Sequence, residues 1–346
     1  MSVTFYGGEP LLKFDLLQWV IEYSLEKNKE FKKEMTFSLT TNLTLVTEEI
    51  AEYLSKVQGL SVLCSLDGPK EIHNLNRKSV NGNGCFDQAF SGFKMLCKAF
   101  NRNHNSNISV NAVFAPPYTY DKLDAINKYF SKLDFIPDNL RVNITYPSGG
   151  SVDNKEWINK MRNNPKYHLS NWDVIDTLWK WGKLQNTNTI KKKSNYNLSI
   201  GLEQALIKIN DRYISDEPKE LYGMNGCCVP GSRRLYVNTK GEYTPCERIG
   251  ICPNIGDAYT GINIEKVRKY YVEDYVNKSI KKCSNCWAVR LCGICYAGRY
   301  DIEGFNENKG NCDGVRREIA RNLSYYHELL ETDKSKLDFI KDINIS

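Results

Sequence analysis

An α/β fold built on a parallel sheet follows from three features of the sequence. Strand-like and helix-like segments alternate over the first 147 residues, polar or glycine-rich loops follow the strands, and most cysteines lie in the second half. Residues 3–6 read as the first strand. An amphipathic helix follows, with Leu16, Leu17, Val20, Ile21 and Leu25 as its apolar positions. Residues 35–40 form the next strand. Thr47 is then expected to cap a helix that opens with Glu48 and Glu49, both favourable at a positive N-terminus, and that turns Ile50 and Leu54 inward. Residues 60–66 are a strand, 86–100 a helix, 108–115 a strand stopped by Pro116-Pro117, 120–133 a helix, and 140–146 a strand before Pro147. Either an open sheet or a barrel satisfies this alternation, and both carry function on loops at the carboxyl ends of the strands. Gly7-Gly8-Glu9-Pro10, Thr41-Asn42 and Asp67-Gly68-Pro69 are therefore expected at one rim.

The chain has 346 residues, 41% hydrophobic and 25% charged, a globular balance that predicts two folded units. Residues 148–226 turn polar and helical and read as an insert or bridge. Trp172, Ile175, Leu178 and Trp179 form one packing face there, and Leu202, Ala205, Leu206 and Ile209 another. A cysteine-rich module follows over 227–318, then a helical tail over 319–346 through Leu323, Leu329 and Leu330. The net charge of +6 is spread along the chain, and Lys191-Lys192-Lys193 sits among Asn, Thr and Ser as a solvated loop, so nucleic acid is not an expected partner. No apolar run approaches the ~20 residues of a spanning helix, and the first residues lack the layout of a secretion signal. The expected location is the cytoplasm, with no membrane association.

Twelve cysteines are present, and nine of them (Cys227, Cys228, Cys246, Cys252, Cys283, Cys286, Cys292, Cys295, Cys312) fall in the second half. In a reducing compartment such density favours metal or cluster ligation over disulfides. Cys283-x2-Cys286-x5-Cys292-x2-Cys295 is the strongest signal, preceded by Cys228 and Gly241-x4-Cys246 and followed by Cys312. Thiolates two residues apart can turn onto one centre, and this many of them point to more than one centre. Zinc is the rival occupant, although a zinc ribbon normally puts a longer hairpin between its two pairs. Cys64 and Cys97 read as small buried hydrophobes, and Cys85 is left open. In Gly7-Gly8-Glu9-Pro10 the glycines let the backbone approach a ligand and the carboxylate can accept from an ammonium group; a simple chain reversal is the plain alternative.

Together these motifs resemble radical S-adenosylmethionine enzymes with a C-terminal SPASM domain, in particular maturases of ribosomally made cysteine-rich peptides. The resemblance is carried by residues 6–12, by Thr41-Asn42, and by Ser65-Leu66-Asp67-Gly68-Pro69 with His73 and Arg77 downstream. In the second half it is carried by Cys228-Val229-Pro230-Gly231, by Pro245-Cys246-Glu247-Arg248 and by residues 283–296. It implies that Gly7, Gly8, Glu9 and Pro10 lie at S-adenosylmethionine, with Gly7, Gly8 and Glu9 meeting its methionyl amine, Ser65 by the ribose and Arg77 near the carboxylate. It also implies two auxiliary [4Fe–4S] clusters, the first on Cys228, Cys246 and Cys295, the second on Cys283, Cys286, Cys292 and Cys312. The fourth ligand of the first cluster is Cys227, Cys252 or an open iron awaiting a substrate thiolate. Three residues usually precede the last cysteine of the run, whereas two precede Cys295. Glu247 is a candidate to take a proton from substrate, with an ion pair to Arg248 as the structural alternative.

One family feature is missing: no three of the twelve cysteines have the Cys-x3-Cys-x2-Cys spacing of the cluster that cleaves S-adenosylmethionine. The expectation is a partial (β/α)6 radical S-adenosylmethionine barrel lacking its first βα unit, so that the edge strand and apolar helix faces are uncovered. A shortened or split gene, or another chain supplying the segment, would account for it. By resemblance the function is thioether formation in a cysteine-rich precursor peptide, with flavodoxin or ferredoxin as reductant. On its own the chain is expected not to generate the radical, and a non-catalytic iron–sulfur scaffold that binds the peptide is the alternative.

Overall fold

Apolar and polar residues alternate with a period of two in the central strands, and the alternation decides which face of the sheet is covered. A computed structural model describes residues 1–145 and 147 apart from 106, 117–118 and 138–139, residues 200–212, and residues 228–342 apart from 229, 233, 302–303, 308 and 311. The chain divides into two units, Met1–Leu202 and Glu203–Ser346. Most of the expected insert, with its tryptophans and Lys191-Lys192-Lys193, lies outside the described residues, as does Cys227.

In the first unit β1 (Ser2–Phe5), β2 (Thr36–Thr41), β3 (Leu60–Ser65), β4 (Ile108–Val113) and β5 (Arg141–Thr145) form a parallel sheet in the order β1-β2-β3-β4-β5. Phe37, Leu39, Leu60, Val62, Cys64, Ile108, Val110, Ala112 and Val142 point to one face and are buried with the helices. The other face is polar and half-buried, carrying Ser38, Thr40, Ser65, Ser109, Asn111 and Asn143. Parallel sheets are ordinarily apolar on both faces, whereas here the second face mixes these polar residues with Leu63 and Val113. The helices are α1 (Phe14–Phe31), α2 (Glu48–Lys56), α3 (Lys70–Asn76), α4 (Phe86–Arg102) and α5 (Tyr120–Ser131). The Thr47 hydroxyl caps α2 by accepting from the Ile50 N–H at 3.2 Å, as the sequence predicts. Cys64 and Cys97 are fully buried in this core, again as expected.

Two features go beyond the sequence reading. In α1 only Leu17 and Ile21 are buried, while Leu16 and Leu25 are 55% and 42% exposed. Residues 17 and 21, one turn apart, face the sheet; Leu16 belongs to a second stripe with Leu12, Trp19 and Tyr23 that faces solvent, where the Trp19 and Tyr23 rings stack at 5.1 Å. Among the described residues β1 pairs only with β2, so it is an edge strand. The short helix α3 is the other difference: its seven residues are too few for a periodic pattern to show.

The second unit is built from short pieces. β6 (Tyr236–Val237), β7 (Glu242–Thr244), β8 (Gly256–Asp257) and β9 (Gly261–Ile262) make an antiparallel meander, and β10 (Tyr300–Asp301) pairs with β11 (Gly304–Phe305). α6 (Ile200–Asn210) buries Leu206 and Ile209; a helical run through Ile264–Lys266 and Val267–Asp274 leads into α7 (Tyr275–Cys283), and α8 (Cys312–Thr332) begins at the last cysteine. Leu329 is buried in α8, and a 3-10 helix spans Lys334–Asp342.

Helix α4 approaches the loop after β2 so closely that a Cβ at Gly92 would sit 2.2 Å from the Leu43 carbonyl oxygen. Ala normally favours a helix over Gly by about 1 kcal/mol, but overpacking costs about 1–3 kcal/mol. Gly92→Ala should therefore destabilise the first unit by a net amount of up to about 2 kcal/mol in urea unfolding; a stabilised variant would show that the loop yields freely.

Candidate functional site

Because the five strands run parallel, their carboxyl ends and the loops that follow share one rim. Glu9 ends the loop after β1 and caps the turn Pro10–Lys13. Its Oε1 accepts from the Leu11 N–H at 3.1 Å and the Thr41 hydroxyl at 2.9 Å, and its Oε2 accepts from the Asn42 N–H at 2.6 Å. Three of the roughly four lone-pair sites of the carboxylate are thus used, which ties the first rim loop to the second and leaves one site on Oε2. No cation among the described residues pairs with Glu9. A Cβ at Gly7 or Gly8 would meet nothing within 4 Å, so the backbone beside this carboxylate is open to a ligand.

The loop after β3 is organised by Asp67, whose side chain is almost wholly buried. It accepts from Arg77 Nε at 2.6 Å and Nη2 at 2.9 Å in a bidentate pair, and from the Val113 N–H at 2.8 Å at the end of β4. Arg77 Nη1 is left over, on a side chain 22% exposed. Ser65 is half-buried at the end of β3, in register with Asn111 of β4. His73 is fully buried: its Nδ1 accepts from the Asp67 N–H at 3.3 Å, so Nε2 carries the proton and faces Cys85 Sγ at 3.5 Å. Both ring nitrogens are thus engaged inside the protein. Cys85, left open by the sequence, donates to the Arg77 carbonyl, and burial raises its pKa. Burial lowers Lys122 to about 8 against the pull of Asp67; its ammonium donates to the Ala115 carbonyl at 2.7 Å and fixes the loop after β4. Sequence reasoning did not single out Lys122, since a lysine in an amphipathic helix carries no sign of being buried.

In the second unit Cys283, Cys286, Cys292 and Cys312 line one cavity of about 470 Å³. Among the described residues no three His, Cys, Asp or Glu side chains gather closely enough to hold a single metal ion. The four cysteines line a shared space. The same wall holds Arg299, which donates to Cys312 Sγ at 3.1 Å, and Arg316, whose Nη1 lies 4.0 Å from Cys286 Sγ. Burial raises the Cys283 pKa, and the Arg299 charge opposes that rise. Neither arginine was predicted, because no spacing rule links it to the cysteines.

Cys228, Cys246, Cys252 and Cys295 form the other neighbourhood. Burial raises the Cys246 thiol, the Arg248 N–H opposes this, and the charges of Glu247, Cys295 and Cys228 add to it. Burial pushes Cys252 up to about 12, with Cys295 and Cys246 contributing. Four tyrosines pin the loops that carry these cysteines. Tyr275 donates to the Ile294 carbonyl and Tyr296 to the Cys228 carbonyl, each at 3.1 Å, while Tyr271 donates to Pro253 and Tyr300 to Tyr270. Their rings pack edge to face, with Tyr271 and Tyr275 centred 4.8 and 4.7 Å from Tyr296. Glu247 pairs with Arg248 at 3.4 Å, its side chain 23% exposed.

Residues 2–130 match the radical SAM superfamily. The chain is 24% identical to the radical SAM cyclopropyl synthase TigE of Paramaledivibacter caminithermalis, over 97% of this chain and 63% of that protein. It is 25% identical to a cysteine-type anaerobic sulfatase-maturating enzyme of Clostridium novyi, over 84% of this chain and 71% of the relative. The fold resembles that of native anSMEcpe solved with bound AdoMet and Kp18Cys peptide, with a TM-score of 0.59 and 21% identity over 99% of this chain and 86% of that one. No helix among the described residues is long and apolar enough to cross a membrane.

Burial holds His73 at about 4, with Asp67 pulling upward and Arg77 pushing down, against an ordinary value of 6.5. Between these values the unfolded chain binds the proton that the folded chain refuses, so stability rises with pH across that window. The urea midpoint should fall as pH drops from about 6.5 to about 4, and His73→Gln should flatten part of that fall. An unchanged slope in the variant would assign the pH dependence to other groups.

Proposed function

We propose, from the premise that residues 2–130 are a radical SAM domain, that this chain acts in modifying a ribosomally made, cysteine-rich precursor peptide, with thioether formation as the reaction. The observation that carries the reading is the cavity lined by Cys283, Cys286, Cys292 and Cys312 beside a buried arginine, since thiolates around such a space fit an auxiliary [4Fe–4S] cluster. The second set is Cys228, Cys246 and Cys295, with Cys252 as its fourth member on the strength of its proximity to Cys246 and Cys295. The names of the relatives, a cyclopropyl synthase and a sulfatase-maturating enzyme, support protein or peptide modification while differing in product.

On the first unit, the rim fits S-adenosylmethionine. Gly7 and Gly8 leave room for its methionyl end, the free site on Glu9 Oε2 accepts from its ammonium, and Arg77 Nη1 is available to its carboxylate, with Ser65 toward the ribose. When bound together, S-adenosylmethionine and a reduced cluster supply the 5′-deoxyadenosyl radical that removes a hydrogen atom from the peptide. The protein's own part is to orient, and to keep water from the reacting carbon. Asp67 holds Arg77 in place, and the polar sheet face with Asn111 and Asn143 offers hydrogen bonds to a bound chain. Glu247, tied to Arg248, is assigned the proton from a substrate thiol, and the one electron left over as the carbon–sulfur bond closes would pass to an oxidised auxiliary cluster.

A second reading is favoured by one observation: none of the twelve cysteines has the Cys-x3-Cys-x2-Cys spacing that holds a cluster able to cleave S-adenosylmethionine. In that reading these residues bind the precursor peptide as an iron–sulfur scaffold without cleaving S-adenosylmethionine themselves. Anaerobic reconstitution should give about eight irons with matching sulfide per chain, whereas zinc without sulfide would sink both readings. With excess dithionite this chain alone should release no 5′-deoxyadenosine; turnover would show that a cleaving cluster assembles on other ligands. Glu9→Gln should weaken S-adenosylmethionine binding about tenfold by calorimetry, since a charge-assisted contact is replaced by a neutral one.

A further inference from the structure

The second unit buries a cation that no carboxylate among the described residues pairs with. Arg299 is 5% exposed; its Nη1 donates to the Glu307 and Lys309 carbonyls at 2.9 Å each, and its Nη2 donates to Cys312 Sγ at 3.1 Å. Its Nε is buried without a partner, and no carboxylate among the described residues pairs with the guanidinium. Burying a guanidinium against carbonyls alone is strongly unfavourable, and the counter-charge this geometry offers is the thiolates and what they hold. Arg316, a second guanidinium, reaches toward Cys286 Sγ at 4.0 Å while paired with Asp313. Two arginines thus address two of the four sulfurs around one cavity.

We propose that Arg299 is a tuning residue that raises the reduction potential of the cluster held by Cys283, Cys286, Cys292 and Cys312, with Arg316 adding a smaller effect at Cys286. This rests on the iron–sulfur reading above. Taking up one electron adds a negative charge to the cluster and its thiolates. A fixed positive charge and a donor N–H at sulfur stabilise that reduced form more than the oxidised one, so the midpoint moves upward. The lysine side chain could keep the charge but not the fork that reaches Glu307, Lys309 and Cys312 together, which separates charge from geometry.

Mediated potentiometric titration of the reconstituted full chain, read by electron paramagnetic resonance, tests the proposal, with Cys286→Ser identifying the signal of this centre. Arg299→Gln is expected to retain the iron and sulfide of the wild type and to lower the reduced-to-oxidised ratio at a fixed potential at least tenfold, or about 59 mV for a one-electron couple. Arg299→Lys should fall between the two. Arg316→Gln, at a half-exposed position, should shift the midpoint in the same direction by less, and it decides the matter if Arg299→Gln does not fold. An unchanged midpoint in the loaded variant overturns the tuning role and leaves the cluster assignment intact. Zinc without sulfide in the wild type overturns the iron–sulfur reading itself.

Discussion

A parallel strand can follow its neighbour only if the chain is carried back to the starting end, and each return in the first unit is made through helix. Everything at the rim depends on that constraint. The loops carrying Glu9, Thr41 and Asn42, Asp67, and Ala115 leave successive strands at the same end, so residues far apart in sequence bond directly: Glu9 to Thr41 and Asn42, and Asp67 to Val113. The buried bidentate pair of Asp67 with Arg77 then turns a loop into a fixed platform, because an unpaired carboxylate in that place would be strongly destabilising.

Charge left unsatisfied by the chain is the common thread of the two units. At the rim of the first, Glu9 is bonded only by neutral donors and keeps one acceptor site; in the second, Arg299 is buried among carbonyls and a thiol. A folded chain rarely leaves an ionised group without an opposite charge, since desolvation costs several kcal/mol per ion. The sign of each suits the ligand proposed for it: an ammonium beside Glu9, and an anionic thiolate-ligated centre beside Arg299. In the second unit the tyrosine cluster supplies the rigidity that few short strands could give, with hydroxyls on the carbonyls of Pro253, Tyr270, Ile294 and Cys228.

Much of this could be read in advance. The strands and long helices of the first unit fall within a few residues of their expected limits, because alternation, a threonine cap at Thr47 and the stop at Pro116 are local signals. Sequence periodicity names the apolar positions of α1 but does not say which of two adjacent rows meets the sheet, and Leu16 belongs to the outer row. Helix α3 escaped notice for lack of length. Arg299, Arg316 and Lys122 escaped because their importance lies in burial and in distant partners.

The sequence by itself determined the alternating α/β order, the loops that meet at the rim, and the cysteine set available for ligation, since each is written in residue type, period and spacing. The family resemblance already groups Cys312 with Cys283, Cys286 and Cys292; tertiary structure alone decided that Arg299 stands on the wall of the cavity they line, that Cys252 lies with Cys246 and Cys295, and that Arg77 is clamped by Asp67. The physical reason is that burial and counter-charge are properties of a place in space: a side chain acquires its dielectric surroundings and its opposite charge only when segments remote in sequence are packed together.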